Sequence, residues 1–388
     1  MRYDVAIIGA GIAGASVAGE LAGDARVLLV EREAQPGYHA TGRSAAMYIE
    51  TYGNRTVRGL IRASRAFFHT PPAGFCDHPL LAPRGGLVIG RADQQDALDA
   101  RWRESVTLTP TIARHDASFA LARVPVLRPE HVAGCVWEPD AMDIDVHALH
   151  QGYLRRLRER GGRLITDAGL EGLAWRGDHW RIETRAGLFD AAVVVNAAGA
   201  WADEIAELAG AARLGLEARR RTVVLFDPPA ETAPSGWPFV IDMDESFYFK
   251  PEAGKILASP ADEAPVLPCD VQPEEMDVAV ALDRIARATT LAPRRPDHKW
   301  AGLRSFAPDE IPVVGFDPEV GGFFWLAGQG GSGIQSAPAL ARIAAAFVQK
   351  GAMPADIADI GVARAALDPA RFRRCTKTHI MDRHMTDQ

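Results

Sequence analysis

The chain has 388 residues, of which 47% are hydrophobic and 24% are charged, values typical of a water-soluble globular protein. Its formal net charge of −7 argues against a nucleic-acid-binding protein. No apolar run approaches the length of a membrane span, and the first one lacks the charged segment of a signal peptide. The scattered cysteines, without a CxxC motif, indicate neither a disulfide framework nor a zinc site. We therefore expect a cytoplasmic protein of two domains with no integral membrane segment; a peripheral contact with the inner membrane stays open.

Residues 1–33 carry the strongest local pattern. A short apolar run precedes Gly9-Ala10-Gly11-Ile12-Ala13-Gly14, a small-residue helix follows, and a second apolar run ends at Glu31. Gly9 permits a tight turn, Gly11 lets the backbone approach a pyrophosphate, and Gly14 allows close packing of helix and strand. Glu31 stands at the distance at which an acid binds ribose hydroxyls. The pattern predicts a dinucleotide-binding βαβ unit, because an ordinary glycine-rich turn would leave Glu31 unexplained.

The elements that follow alternate between helical and strand patterns. We predict a helix over residues 62–69, strands at 87–89 and 134–137, an amphipathic helix over 145–159 capped by Asp145, a meander through 163–184 and a buried parallel strand at 191–195. Residues 206–300 contain β-branched segments separated by prolines, with a helical pattern from 274 to 291. This pattern is typical of an antiparallel sheet with a covering helix. A buried strand at 322–327 then leads into a glycine-rich turn and a helix over 334–350, and the tail from Thr376 is expected to be poorly ordered.

These elements predict a mixed α/β fold, α+β overall. We expect a discontinuous Rossmann-type nucleotide domain formed by residues 1–85, 140–205 and 300–375. An inserted substrate domain would comprise residues 86–139 and 206–299.

One segment has the residue types of a metal site, but a structural role explains them as well. Asp143, Asp145, His147 and His150 lie close together in the sequence. We favour a strand end, an N-cap and a helix with two exposed histidines over a metal centre, so no metal site is predicted.

The position of a second glycine-rich turn bears on the cofactor. Gly328-Gln329-Gly330-Gly331-Ser332-Gly333 follows a strand far from the first motif, whereas a simple nicotinamide domain is usually one contiguous block. A second helix N-terminus would suit the anionic edge of a reduced flavin ring, and a glycine turn used only for packing is the alternative.

At this point the chain resembles the D-amino-acid oxidase-like flavoenzymes, which include glycine and sarcosine oxidases, and more closely the bacterial FAD-dependent D-arginine dehydrogenases. The resemblance covers nearly the whole chain in order. It is carried by EREAQPGYH (31–39), TGRSAA (41–46), RAFF (65–68), PPAGFC (71–76), NAAGAW (196–201), DESFY (244–248), WAGLRSF (300–306), QGG (329–331) and GIQ (333–335).

The resemblance and the glycine motifs together imply a bound FAD. No cysteine lies between Cys269 and Cys375, where some related oxidases attach their flavin, so we expect the FAD to be non-covalent. The residues expected to bind it are Gly9, Gly11, Ile12, Ala13, Gly14, Glu31, Arg32, Arg43, Ser44, Ala45, Ala198, Gly199, Gly330, Gly331, Gly333 and Ile334.

The resemblance also assigns the residues that bind the substrate. Arg221 and Arg304 occupy the carboxylate-binding positions of the family, where a guanidinium fork matches a carboxylate. Arg221 is the last of three consecutive arginines, so composition alone could not select it. Tyr52, in a loop, and Tyr248, on a strand, resemble the tyrosines that cover the substrate. No catalytic histidine is evident, and water could take the proton of the substrate amine.

The chain departs from the arginine-specific relatives in the substrate pocket. Gly86 stands where they have an acid, Met47 where they have a His, and Ile49 where they have a Thr, so polarity is lost at each position. We expect oxidative deamination of D-amino acids with apolar or small side chains, with Ser332 also in the pocket and with O₂, a quinone or another carrier as electron acceptor. Glu50 or Asp242 could restore an anion for a basic side chain. The alternatives are a secondary-amine oxidase acting on sarcosine, glycine or an imino acid, and a flavin-binding subunit without catalysis.

Overall fold

The computed structural model describes residues 2–372. Its strands are β1 (Arg2–Ile8), β2 (Val27–Val30), β3 (Met47–Tyr48), β4 (Leu81–Pro83), β5 (Gly86–Gly90), β6 (Ala113–Asp116), β7 (Gly134–Glu138), β8 (Met142–Ile144), β9 (Arg163–Ile165), β10 (Leu170–Trp175), β11 (Trp180–Thr184), β12 (Gly187–Asn196), β13 (Glu217–Phe226), β14 (Phe239–Asp242), β15 (Tyr248–Glu252), β16 (Lys255–Ser259), β17 (His298–Phe306), β18 (Val313–Phe316) and β19 (Phe323–Ala327). Its helices are α1 (Ile12–Leu21), α2 (Arg55–His69), α3 (Gln95–Val106), α4 (Ala117–Arg123), α5 (Val146–Glu159), α6 (Ala202–Leu208), α7 (Glu275–Ala288), α8 (Gly333–Val348), α9 (Ala355–Asp359) and α10 (Arg364–Leu367).

The first sheet is organised around parallel strands. β1 lies between β2 and the second half of β12, and β19 pairs with the end of β12 on its other side. On the same edge of β12 as β19, residues 187–191 pair with β11 and so extend the sheet into the antiparallel meander β10–β11–β12. β2 and β19 are buried along their whole length, because α1, α5 and α8 cover one face of the sheet, and residues of α6 and of the meander pack on the other. The apolar runs at residues 27–30 and 323–327 are therefore fully buried strands, whereas Ala192 and Val193 in the run at 191–195 are half-buried.

This arrangement brings distant parts of the chain to one edge. The carboxyl ends of the parallel strands β1, β12 and β19 meet there, so the turns that follow them are neighbours. Residues 9–14, 196–201 and 328–333 are these turns. Ligands of open α/β sheets bind in the crevice outside the carboxyl ends of the strands.

The second sheet has the strand order β17-β13-β16-β15-β14-β5-β7-β6. Its pairs are antiparallel except β14 with β5, and α7 packs its apolar face against it. β5, β6 and β7 come from residues 86–139, and β13–β16 come from residues 206–299. Strands of both segments therefore belong to this one sheet. β17 pairs with β13 along residues 298–306, so the predicted domain boundary at residue 300 falls inside a strand of the second sheet. A small third sheet has the strand order β3-β8-β4.

Several predicted boundaries shift in the structure. α2 begins at Arg55, earlier than residue 62, because Asn54 caps it by accepting a hydrogen bond from the Val57 amide at 3.1 Å. α7 ends at Ala288, three residues before the predicted 291. Asp145 caps α5 as predicted and accepts a hydrogen bond from the Ala148 amide at 2.7 Å.

No helix within residues 2–372 is long and apolar enough to cross a membrane. Cys375 and the tail from Thr376 lie outside the described residues.

Candidate active site

A cavity of about 1070 Å³ runs from the first glycine turn to the second sheet. At one end it is lined by the turns that follow β1, β12 and β19, and at the other by side chains from β5, β7, β13, β14, β15 and β17. Of the residues assigned to the cofactor and substrate from the sequence, Gly14 and Ser332 are outside the lining and the others are part of it.

The end of the cavity that is lined by the turns after β1, β12 and β19 is called the nucleotide end. Backbone contacts that no side chain would permit shape it. Gly9 has a φ of +98°, and a Cβ on it would lie 2.6 Å from the Ala197 carbonyl oxygen. A Cβ on Gly14 would lie 1.8 Å from the Gly9 carbonyl oxygen, so α1 packs directly onto the turn. Gly14 therefore contributes through packing, as predicted, although it does not face the cavity.

Glu31 lies at the end of β2 and is only 8% exposed. Its Oε2 accepts a hydrogen bond from the Ala10 amide at 2.8 Å, and its Oε1 accepts one from the Glu33 amide at 3.0 Å. The carboxylate thus fixes the glycine turn and lines the cavity at the same time.

The connector that follows β2, residues 35–46, lines one side of the nucleotide end of the cavity. The Thr41 hydroxyl oxygen accepts a hydrogen bond from the Ile12 amide at 2.9 Å, at the first turn of α1. We did not single out Thr41 from the sequence, and its position within the TGRSAA segment was the available signal. Arg43 lines the cavity, but its guanidinium donates to the Val271 and Ala301 carbonyls, each at 3.1 Å, and pairs with Asp270 at 2.5 Å. The Arg43 guanidinium therefore ties the connector to the second sheet.

Arg32 is held by an aromatic ring. Its guanidinium carbon lies 4.0 Å from the centroid of the Trp201 ring, and both residues line the cavity. Trp201 is a second residue that sequence reasoning did not name as a site residue, although it ends the NAAGAW segment.

The second glycine turn lies against the substrate-binding side chains. A Cβ on Gly331 would lie 2.0 Å from the Tyr52 hydroxyl oxygen and 2.9 Å from Nη1 of Arg304. Glycine is needed here because these side chains approach the backbone. Ser332, expected in the pocket, is buried beside it, and its hydroxyl donates to the Gln329 carbonyl at 3.0 Å.

Strand alternation separates the three consecutive arginines. Arg219 and Arg221 lie on one face of β13 and Arg220 on the other, where it pairs with Asp277 at 2.9 Å. Arg221 lines the cavity, as does Arg304 on the neighbouring strand β17, whereas Arg219 lies outside the lining. We call Arg221 and Arg304 the arginine clamp.

The predicted tyrosines lie next to the clamp. Nη1 of Arg304 donates to the Tyr52 hydroxyl oxygen at 3.4 Å, and the Arg221 guanidinium carbon lies 5.8 Å from the centroid of the Tyr248 ring. Burial raises the pKa of Tyr52 above its ordinary value, against the opposing effect of the Arg304 and Arg221 cations, so its phenol stays protonated.

The rest of the pocket is mainly apolar. Met47, Phe239 and Tyr248 belong to one buried cluster, with Ile49 and Ile241 packed against it. Gly86 also lines the cavity, and a Cβ on it would lie 3.3 Å from the Ala141 Cβ.

An acid that we did not identify from the sequence faces this pocket. Glu138 lies directly opposite Gly86 in the β5–β7 ladder and lines the cavity. It accepts hydrogen bonds from the Glu50 amide at 3.1 Å and from the Thr51 hydroxyl at 2.6 Å. Burial raises its pKa, opposed by the Thr51 hydrogen bond and by Arg101. Glu138 on the neighbouring strand β7 therefore partly replaces the polarity that is lost at Gly86.

The two acids expected as replacements lie elsewhere. The Glu50 carboxylate accepts a hydrogen bond from the Tyr48 hydroxyl at 2.8 Å, and the Asp242 carboxylate accepts one from the Ser246 hydroxyl at 2.8 Å. Neither residue is among the described residues that line the cavity.

The segment with metal-binding residue types serves other purposes. Asp143 pairs with Lys250 at 2.7 Å and with Arg84 at 2.6 Å. His150 is buried, contrary to the expectation that it is exposed, and its Nε2 donates to the Ala10 carbonyl at 2.8 Å. Burial lowers the pKa of His150, so the ring supports the glycine turn as a neutral donor. In the part of the chain that the structure describes, no group of His, Cys, Asp and Glu side chains is arranged to hold a metal ion.

Comparison with known proteins identifies the family. The model of the DAO family, whose description is FAD dependent oxidoreductase, matches residues 4–347. The chain belongs to this family. It is 26% identical over 358 residues to the uncharacterized oxidoreductase YurR of Bacillus subtilis, a match that covers 86% of this chain and 91% of YurR. It is 27% identical over 225 residues to the hydrogen cyanide synthase subunit HcnC of Pseudomonas aeruginosa, of which the match spans 52%.

A solved structure shows that the fold is shared. The crystal structure of glycine oxidase from Geobacillus kaustophilus superposes with a TM-score of 0.81 at 22% identity, covering 94% of this chain and 99% of that chain.

FAD is the cofactor of this DAO-family oxidoreductase, and its cavity fits the group. The glycines of these turns leave backbone amides unobstructed by side chains at the edge of the first sheet, as a pyrophosphate requires. The residues that would hold the FAD are those of the nucleotide end, from Gly9 and Glu31 to the N-terminus of α8.

Proposed function

We propose that this flavoenzyme catalyses the oxidative deamination of D-amino acids and prefers apolar or small side chains to arginine. The observation that carries the proposal is the arginine clamp. Arg221 and Arg304 lie on adjacent strands and line the same cavity as the glycine turns. A carboxylate substrate bound by them would therefore be held beside the cofactor.

The clamp would orient the substrate through its carboxylate. Guanidinium groups bind carboxylates in a fixed geometry, and each charged hydrogen bond contributes about 1.5–3 kcal/mol. When bound, FAD accepts a hydride from the substrate Cα, which leaves an imine that water hydrolyses to a 2-oxo acid and ammonia. Tyr52 and Tyr248 would cover the substrate from either side of the clamp and exclude water.

The walls of the pocket support the preference for apolar side chains. Met47, Ile49 and Phe239 offer no counter-charge for a guanidinium, and a buried cation without a counter-charge is costly. Glu138 is an acid that faces this region, but burial raises its pKa, and its two oxygens already accept hydrogen bonds from the Glu50 amide and the Thr51 hydroxyl. We infer that D-arginine is bound less well than D-methionine or D-phenylalanine.

We infer the D configuration from the resemblance of the sequence motifs to those of the D-arginine dehydrogenases. Relatives such as glycine oxidase are named for a different substrate, so stereochemistry is part of what must be tested.

A substrate panel tests the proposed function. Purified protein is supplied with the D and L forms of Met, Phe and Arg and with glycine and sarcosine, and 2-oxo acid and ammonia are measured in air and with an artificial electron acceptor. We expect the highest kcat/KM for D-Met or D-Phe, and a lower one for D-Arg. The highest value for glycine or sarcosine would instead identify an amine oxidase. No turnover of any compound would favour a flavin-binding subunit.

The same preparation tests how the flavin is held. We expect acid precipitation of the protein to release the FAD into the supernatant, because we propose non-covalent binding. A flavin that stays with the precipitate would contradict this expectation.

A further inference from the structure

Three arginines share one face of the second sheet. Arg219 and Arg221 alternate along β13, and Arg304 lies directly opposite Arg219 on β17. Like charges in such positions repel one another across a sheet. This face therefore needs anions to hold the guanidinium groups in place.

Glu263 is the anion that the three arginines share. Its Oε1 accepts hydrogen bonds from Nη2 of Arg221 at 2.9 Å and from Nη2 of Arg304, and its Oε2 lies 3.3 Å from Nη1 of Arg219. Arg219 also pairs with Glu217 at 2.6 Å and with Glu310 at 2.8 Å. Among residues 2–372, Glu263 is the only carboxylate within ion-pair distance of either member of the clamp.

The segment that carries Glu263 is fixed beside β13. The Asp262 carboxylate accepts hydrogen bonds from the Thr222 amide at 2.6 Å and from the Thr222 hydroxyl at 2.9 Å. The Asp262 carbonyl accepts one from Nε of Arg221 at 2.9 Å, and the Ala264 carbonyl accepts one from the Arg220 amide at 2.9 Å. Glu263 is therefore held in register with the arginines.

Glu263 contacts the clamp from outside the cavity. Arg221 and Arg304 line the cavity, whereas Glu263 is absent from the described residues that do so, and its side chain is 46% exposed. Nη1 of Arg304 points the other way, to the Tyr52 hydroxyl. The carboxylate thus engages Nη2 of each guanidinium group, while Nε of Arg304 is buried without a hydrogen-bond partner among the described residues.

We propose that Glu263 is a positioning residue that makes the arginine clamp selective for a ligand with a single carboxylate. Arg219, the third partner of Glu263, has Glu217 and Glu310 as its own counter-ions. Arg221, Arg304 and Glu263 then carry one net positive charge, which the carboxylate of one amino acid would neutralise. A second carboxylate at the same place would have no compensating charge. The proposal rests on the proposed function, because it assumes that the clamp binds the substrate carboxylate.

The test compares two ligands that differ in charge and hardly in shape. Malonate carries two carboxylates, and its monoamide, malonamate, carries one. Their Kd values are measured by titration calorimetry on the holoenzyme at low ionic strength, with the wild type and Glu263→Gln, which removes the charge and keeps the side-chain size. Glu217→Gln is the matched control, because Glu217 pairs with Arg219 and with neither clamp residue.

We expect Glu263→Gln to shift the ratio of the two Kd values towards malonate by at least about fivefold, and less at high salt. Glu217→Gln should leave the ratio within about twofold of the wild type, because exposed ion pairs contribute little. A loss of orientation alone would weaken both ligands equally and leave the ratio unchanged, which would overturn the proposal. An equal shift in Glu217→Gln would overturn it as well.

A third variant separates this proposal from the proposed function. If Arg304→Lys leaves the affinity of both ligands unchanged, the clamp does not bind carboxylates and both proposals fail. If Arg304→Lys weakens both ligands while Glu263→Gln leaves their ratio unchanged, only the role of Glu263 fails.

Discussion

The two ends of the cavity recognise their ligands in different ways. At the nucleotide end the backbone makes the surface, and Gly9 and Gly14 are needed because side chains would collide with other backbone atoms. At the substrate end side chains make the surface, and Arg221, Arg304 and Glu138 come from different strands of the second sheet. A backbone cradle depends on a short local motif, whereas a side-chain pocket depends on how distant strands pair. The following predictions test this contrast, beginning with the largest expected effect.

The nucleotide end should be intolerant of a single added methyl group at Gly14. A Cβ there would lie 1.8 Å from the Gly9 carbonyl oxygen, so Gly14→Ala must displace either α1 or the turn. Overpacking of this kind costs about 1–3 kcal/mol or more. We expect the flavin content per purified protein, measured by absorbance, to fall by about tenfold or more. Gly236→Ala is the control, since nothing lies within 4 Å of a Cβ at that position. A full complement of flavin in Gly14→Ala would show that the cradle is less rigid than the contacts indicate.

The substrate end should distinguish arginines by the face on which they lie. Arg221→Lys and Arg304→Lys should each lower kcat/KM for a small D-amino acid by about tenfold or more, because lysine cannot form the bidentate fork. Arg219→Lys changes the same residue type on the same strand face but outside the cavity lining, so it should stay within about threefold. Flavin content must be equal in all three variants. If Arg219→Lys lowers kcat/KM as much as the other two variants, the positive charge of the whole sheet face, and not the arginine clamp, supports turnover.

The pocket should accept a basic side chain when a carboxylate is added at position 86. Gly86→Glu should raise kcat/KM for D-Arg relative to D-Met by about tenfold, since a buried guanidinium gains a counter-charge. The gain should be larger together with Glu138→Gln, because Glu138 lies directly opposite position 86 and two acids there repel. If Glu138→Gln alone abolishes D-Arg turnover, Glu138 already acts as the counter-charge.

The smallest effect concerns the pH dependence of stability. Burial raises the pKa of Glu138 in the folded protein, so its contribution is fully present below the pKa of the unfolded chain and is lost as the pH rises through the folded pKa. Glu50 adds to this shift and Arg101 opposes it. Glu138→Gln cannot ionise. We expect its Tm relative to the wild type to increase as the pH rises above about 4.5, the ordinary pKa of Glu, as measured by thermal unfolding. A constant difference would mean that folding does not raise the pKa of Glu138. Glu217→Gln controls for the loss of one carboxylate.

The contrast between the two ends also explains what the sequence could predict. The glycine turns, the buried parallel strands and the family were accessible because each depends on a pattern within a few residues or on motifs in chain order. Glu138 was not, because its place opposite Gly86 depends on the register between β5 and β7. Glu263 meets Arg221 from 42 residues away in the chain, across a segment whose path no local pattern reveals. His150 was expected to be exposed, since the spacing along α5 does not show that the Ala10 turn covers it.

The domain boundary at residue 300 illustrates the same limit. WAGLRSF was attributed to the nucleotide domain, yet its strand pairs with β13 and carries Arg304 in the second sheet. Local patterns locate strands, and pairing decides the sheet to which each belongs.

The central claim is that one cavity holds FAD and the carboxylate of a D-amino acid side by side. Anaerobic mixing of the yellow holoenzyme with D-Met or L-Met, followed by the absorbance of the oxidised flavin, tests this most directly. We expect D-Met to bleach the flavin, L-Met to leave it oxidised, and Arg304→Lys to slow the bleaching by about tenfold or more at a subsaturating concentration. Bleaching by L-Met or sarcosine but by no D-amino acid, or equal rates in the wild type and Arg304→Lys, would contradict the account.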